Sequence, residues 1–221
     1  MDLMKDEGFT TPVWAVTIDQ QRSRRSKDRI PGLLQTLEDA LAGRVLLAPE
    51  RTAGDEVQLL TDDSRAVVDV LAAVQREGGW WVGIGLGEVE LPLPGSTREA
   101  RGPAYLAARQ AVEQAKSSPV ATALRGWASE TVSGDAYGET ELAVHRAESA
   151  LWLLCELWQR RSREGWQMVD LLERGMSVGR AAEELGVSAS AASQRHRRAA
   201  HESVRRGMEL AVALMDQAAR P

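Results

Sequence analysis

The sequence predicts an α+β fold in two unlike parts. Two observations carry that expectation. Short apolar runs alternate with amphipathic helical stretches over residues 10–118, and from Glu139 onward the apolar residues recur at helical spacing. The elements follow in order. Val13, Trp14, Val16 and Ile18 make 12–19 a strand. Residues 20–29 (QQRSRRSKDR) form a polar, basic loop. Leu33, Leu34, Leu37 and Leu41 place a helix over 31–42, stopped by Gly43. Residues 45–48 are a short strand. Gly54-Asp55 between extended flanks marks a hairpin across 52–60. Val67, Val70, Leu71 and Val74 put a helix over 63–75, ended by Gly78-Gly79. An apolar, glycine-rich strand spans 80–89, a loop spans 91–102, and an alanine-rich helix spans 103–116 with Pro103 in its first turn.

This β-α-β-β-α-β order is the ferredoxin-like arrangement. Residues 117–138 mix Ser, Pro, Gly and Trp127, and no element is assigned there. Beyond them, Leu142, Leu151, Leu154, Leu157 and Trp158 form the stripe of a packed helix. The expected division is a ferredoxin-like domain over 10–118, a linking segment and long helix over 119–162, and an all-α unit over 163–221.

Composition narrows the function classes. The chain has 221 residues, 43% of them apolar, with a formal charge of −5. Such a chain is neither disordered throughout nor a basic nucleic-acid coat protein. The single cysteine, Cys155, excludes a disulfide framework and a zinc finger or ribbon. Residues 1–8 are acidic and lack an apolar core, so no signal peptide is expected. No stretch has the apolar length of a membrane span. A cytoplasmic protein with no membrane partner is the expectation. The charge is uneven. Residues 160–221 carry eleven basic and eight acidic side chains, a net of +3, which leaves −8 on the remainder. All eleven are arginines. Any nucleic-acid contact is therefore expected on the tail helices and not on the acidic body.

The clearest local signal lies in 166–199. A first helix ends near Gly175, and Ser177 can cap a second that carries Ala181, Ala182 and Leu185. Gly186 suits the positive φ of a tight turn, Val187 tucks inward, and Ser188 caps a third helix. This is a helix-turn-helix pattern, whose last helix would enter the DNA major groove. The stretch 181–199 resembles the helix-turn-helix of sigma factor region four and LuxR-type regulators. A hairpin used only for packing has less reason to place so many arginines there. By helical geometry Ala192 and Ala199 face inward, and His196 is a partly buried packing residue. Ser190, Ala191, Gln194 and Arg195 fall where base edges are met; Gln pairs with adenine and Arg with guanine. Ser188, Arg180, Arg197 and Arg198 suit phosphates. Val204, Met208, Ala211 and Met215 continue as an apolar stripe, available to the same chain or to a second copy.

Four pieces of the first half, AVTIDQQRSR (15–24), TAGDEVQLL (52–60), VGIGLGEVE (82–90) and RGPAYLAARQAVEQAK (101–116), together resemble the SatD family. That family pairs a strand ending in aspartate with a Gly-Asp-Glu hairpin, a Gly-Ile-Gly-x-Gly strand and a Gly-Pro-Ala helix. The resemblance implies a palm-type sheet like that of nucleotidyl cyclases, with Asp19 and Asp55 as carboxylates for Mg²⁺ and a nucleotide. Glu56 would assist or face away, and Arg22, Arg24, Arg25 or Arg109 would hold phosphates. The chain departs from the family at Gln20, Gln21 and Arg22, which stand where small or apolar residues are usual, and at Val57 in place of Phe. The glycines of 83–87 also suit close sheet packing, and no helix follows them directly as a dinucleotide fingerprint would require.

The expected function is that of a DNA-binding transcriptional regulator, not an enzyme, with no obligate cofactor. Its partners would be double-stranded DNA and a second copy of itself, the palm-like domain serving dimerisation or ligand sensing. The alternatives are a cyclase-like phosphoryl-transfer enzyme at Asp19 and Asp55, and an adaptor that docks on RNA polymerase.

Overall fold

The computed structural model describes residues 8–127 and 135–220. It is an α+β structure with a five-stranded mixed sheet and a set of helices. The strands are β1 (Val13–Gln20), β2 (Leu47–Arg51), β3 (Glu56–Thr61), β4 (Trp80–Gly87) and β5 (Thr122–Gly126). They lie in the order β2-β3-β1-β4-β5, antiparallel except for the β4–β5 pair. β1 sits at the centre, and its apolar run is covered on both faces, as a central strand requires. Trp14, Val16 and Ile18 face α1 (Ile30–Leu41) and α2 (Ser64–Glu77), while Val13 and Ala15 face α3 (Pro103–Ala115). α1 buries Leu33, Leu37 and Leu41. α2 buries Val67, Val70, Leu71 and Val74, and starts where the Asp63 carboxylate accepts from Arg65 N.

α3 lies unusually close to β4. A Cβ built on Gly83 would sit 2.2 Å from Val112 N, and one on Gly85 would sit 2.2 Å from Ala104 O. Glycine on the strand and Ala104, Ala108 and Ala111 on the helix are what permit the approach. The crossovers β3–α2–β4 and β4–α3–β5 step the same way across the sheet, each between parallel strands. Their helices nevertheless occupy opposite faces, so the two crossovers have opposite hands, and one departs from the right-handed rule.

The segment 119–162 is more than a link. It supplies β5, in a stretch where the sequence pattern assigns no element, and α4 (Asp135–Gln159). β5 has two buried apolar residues, Ala123 and Leu124, too few for a strand signal; pairing with β4 makes it a strand. α4 covers its open side, where Leu124 N donates to Glu148 Oε1 at 3.0 Å. The buried stripe of α4 runs through Val144, Ala147, Leu151, Leu154, Cys155 and Trp158. Leu142 does not belong to that stripe. It is 46% exposed, because the helix is phased by Val144 and Ala147. Cys155 is fully buried, and burial pushes its thiol up to about 12, so it is inert core.

The remaining helices are α5 (Arg163–Glu173), α6 (Val178–Glu184), α7 (Ala189–Ala199) and α8 (His201–Ala218). α5 to α7 form a small unit around Met168, Leu171, Ala181, Ala182 and Ala192. α8 returns to the body. Val204, Ala211, Met215 and Ala218 pack into the main core beside α4 and α2. The apolar stripe of α8 is thus covered within the chain. No helix among the described residues is long and apolar enough to cross a membrane.

Candidate nucleic-acid interface

α7 is set in place by local chemistry. Ser177 Oγ accepts from Arg180 N at the start of α6. Gly186 then takes φ 62, and Ser188 Oγ accepts from Ala191 N at the start of α7. Leu185 and Val187 pack onto the small core from the turn between them. Ala192 and Ala199 are buried, Arg195 and His196 are half-buried, and Ser190, Gln194, Arg197 and Arg198 are exposed. These placements match the helical phase read from the sequence.

Ala191, Gln194, Arg195 and Arg198 come together along one cleft of about 390 Å³. Its other wall is Arg160, Ser162, Glu164 and Gly165, at the α4–α5 junction. Arg180 on α6 and Arg197 on the far side of α7 are not part of it. The sequence pattern does not single out Arg160 as a site residue. Its one signal is the RRSR run at 160–163, which precedes the helix-turn-helix pattern and reads there only as charge. The Glu164 carboxyl is held below its usual value, first by its own backbone N–H and the Ser162 hydroxyl, then by Arg195 and Arg163.

The arginines of α7 and α8 are treated differently. Arg195, Arg197 and Arg198 have no ion pair among the described residues. Arg205 of α8 pairs with Glu202 (3.0 Å) and Glu209 (2.6 Å), and Arg206 pairs with Glu202 (2.9 Å). The Arg205 and Arg206 charges are neutralised on their own helix; those of α7 are not.

The α5–α7 unit is fastened to the body. Arg76 of α2 makes a two-pronged pair with Asp170 of α5, at 2.6 and 2.7 Å. The guanidiniums of Arg161 and Arg76 lie over the Trp166 ring, 4.3 and 5.1 Å from its centre. Arg161 is 8% exposed and donates from Nε and Nη2 to Ala199 O, the last carbonyl of α7. The chain breaks there, with Ala200 at φ 49, before α8 begins.

The acidic corner has a different character. Asp19 lies near the end of β1 on the α3 face, opposite Glu56 of β3 and Trp81 of β4. Burial raises its pKa most, and the Asp55 charge adds to that, so the two carboxylates do sense each other. Lys116, just past α3, places Nζ 3.5 Å from Asp19 Oδ2, 2.6 Å from Glu113 and 5.7 Å from the centre of the Trp81 ring. Glu56 Oε1 accepts from Thr52 Oγ1 at 2.5 Å and from Gln58 Nε2 at 3.2 Å. Arg24 lines a shallow depression with Asp55 and Arg51, which Asp19 does not line; Arg22 and Arg25 are exposed, and Arg109 is exposed on α3. Among the described residues no three His, Cys, Asp or Glu side chains are grouped to hold a metal. The positive charge beside Asp19 is the ammonium of Lys116, which it shares with Glu113.

No family model matches the chain, and no curated protein matches it.

Proposed function

We propose that this protein is a DNA-binding transcriptional regulator. In this reading α6 and α7 are a helix-turn-helix, and α7 lies in the major groove. The observation that carries it is the unpaired arginine and glutamine face of α7, beside an α8 whose arginines at 205 and 206 are neutralised. Gln194 and Arg195 read base edges, with Ser190 and Ala191 alongside. Arg180, Ser188, Arg197 and Arg198 meet phosphates, which position the protein without reading sequence.

The body acts as a ferredoxin-like, palm-type scaffold of the SatD kind. Its strand order, with β1 between β3 and β4, supports that assignment. The body serves dimerisation or ligand sensing and not nucleotide turnover. A homodimer that reads two half-sites would use a surface other than the α8 stripe, which the chain itself covers.

Selection of bound duplexes from a random library tests the reading. A recurrent motif is expected, with affinity falling steeply as salt rises. Recovery of no motif, with no salt-dependent duplex binding, refutes it.

A further inference from the structure

The loop between β1 and α1 is the most cationic segment of the body. Arg22, Arg24, Arg25 and Lys27 are all exposed, and none has an ion pair among the described residues. The acid that follows them in the chain, Asp28, is taken by Arg51 at 2.7 Å. The net charge of −8 on residues 1–159 hides this cluster.

The loop is also built to hold its shape. Gln20 is 2% exposed, and its side-chain amide donates to Ser26 Oγ and to Lys27 O, both at 2.7 Å. Its Oε1 accepts from Arg29 N at 2.9 Å. One buried side chain therefore ties three positions of the loop. Ser23–Arg25 forms a single 3-10 turn entered through Arg22 at φ 56. A pre-shaped loop loses less freedom on binding than a floppy one.

Its position matters as much as its charge. Arg29 donates to Gly78 O at 2.9 Å and lies over Trp80, 4.8 Å from the ring centre. Gly78 lines a cleft with Arg163 and Gln167 of α5. Arg163 is followed in the chain by Glu164, which lines the cleft shared with Gln194, Arg195 and Arg198. The base of the loop, at Arg29, is thus linked to the α7 face through neighbouring clefts. The same clefts carry two acids, Glu77, paired with Arg29, and Glu164, on the wall opposite Arg195.

We infer that the 22–27 loop is a second contact to duplex DNA, gripping phosphates next to the groove that α7 enters. The inference rests on the DNA-binding reading above and departs from the expectation that contact is confined to the tail helices. The chemistry fits backbone and not bases. The loop offers guanidiniums, an ammonium and the Ser23 hydroxyl, and no aromatic side chain on which an unpaired base could stack. Its contribution to binding is sequence-blind.

The test uses the full chain with Arg24→Ala, Arg25→Ala and Lys27→Ala combined. Binding is measured across a salt series on a selected duplex and on a scrambled one. The expected result is a loss of about tenfold or more on both duplexes. The slope of log affinity against log salt should fall by roughly two to three, at about 0.9 per phosphate contact. The melting temperature should stay unchanged, since these side chains are exposed. Unchanged affinity and slope overturn the inference. If that happens while Arg195→Ala with Arg198→Ala abolishes binding, only the loop contact fails. If the unaltered protein binds no duplex, the DNA-binding reading fails and the inference with it.

Discussion

α3 rests on β4 with backbone almost touching backbone, whereas the outer face of α7 is left uncovered. Both helices follow a turn marked by glycine, and both bury alanines on the inner side. The difference is in what the other side is left to do. Gly83 and Gly85 remove the β4 side chains that would stand between that strand and α3, so the helix backbone closes directly onto it. Arg195, Arg197, Arg198 and Gln194 of α7 have no ion-pair or hydrogen-bond partner among the described residues. Packing in the body is spent on closure, and the chemistry available to a partner is concentrated where packing stops.

The largest expected effect breaks the closed side. Gly85→Val would drive a branched side chain into the α3 backbone, since Ala104 O stands only 2.2 Å from where the new Cβ would lie. Backbone cannot rotate away as a flexible side chain can. The expected cost exceeds about 3 kcal/mol and removes the cooperative unfolding transition in a denaturant titration. A normal transition would show that α3 can lift off the sheet.

The open side should respond in the opposite way. Arg195→Ala with Arg198→Ala removes charge from one half-buried and one exposed side chain with no ion pair among the described residues and should move the melting temperature little. DNA affinity should fall by about 30-fold or more, since a base-reading arginine is worth roughly 1–3 kcal/mol. Fluorescence anisotropy on a selected duplex measures it. Equal affinity in this variant would assign the unpaired arginines to solvent alone.

Between these extremes lies the fastening of the α5–α7 unit. Trp166→Ala takes away the ring under Arg161 and Arg76 and should cost about 2 kcal/mol. Hydrogen exchange should then rise in α5 to α7 before it rises in the sheet. Ser188→Ala is milder. It loses the cap on α7, worth about 1 kcal/mol, and should fray the first turn of that helix. Circular dichroism melting orders the two.

These contrasts also explain what can be read from the chain. α1, α2 and α3 are legible because each has one apolar face whose period survives in sequence, and β1 and β4 because each is a short apolar run buried on both faces. The caps and turn of α6 and α7 are legible because Ser177, Gly186 and Ser188 act on their immediate neighbours. β5 is not, since its strand character comes from β4. Leu142 falls on the wrong side when leucine is weighted above Val144 and Ala147, which set the helix phase. The Arg76–Asp170 fastening and the Lys116–Asp19 pair join residues far apart in the chain, and no local pattern announces them. Resemblance singles out Asp19 but not its partner.

That pair yields the smallest effect and the sharpest use of pH. Burial first, and the Asp55 charge second, raise the pKa of Asp19 above its ordinary value, with Lys116 opposing. A carboxyl whose folded pKa is raised favours folding in its protonated form. Its contribution is fully present below the unfolded pKa and is lost as pH rises through the folded one. At neutral pH the ionised Asp19 is therefore a small burden on the fold. Asp19→Asn should raise stability at pH 7 by less than about 1 kcal/mol, because the lost Lys116 contact is a partly exposed pair of little worth. The gain should shrink as pH is lowered through the folded pKa toward the ordinary carboxylate range. Urea unfolding at both pH values decides it. A variant less stable at pH 7 would mean that the Lys116 pair outweighs the burial of the carboxylate, and that the corner is held together by its charges.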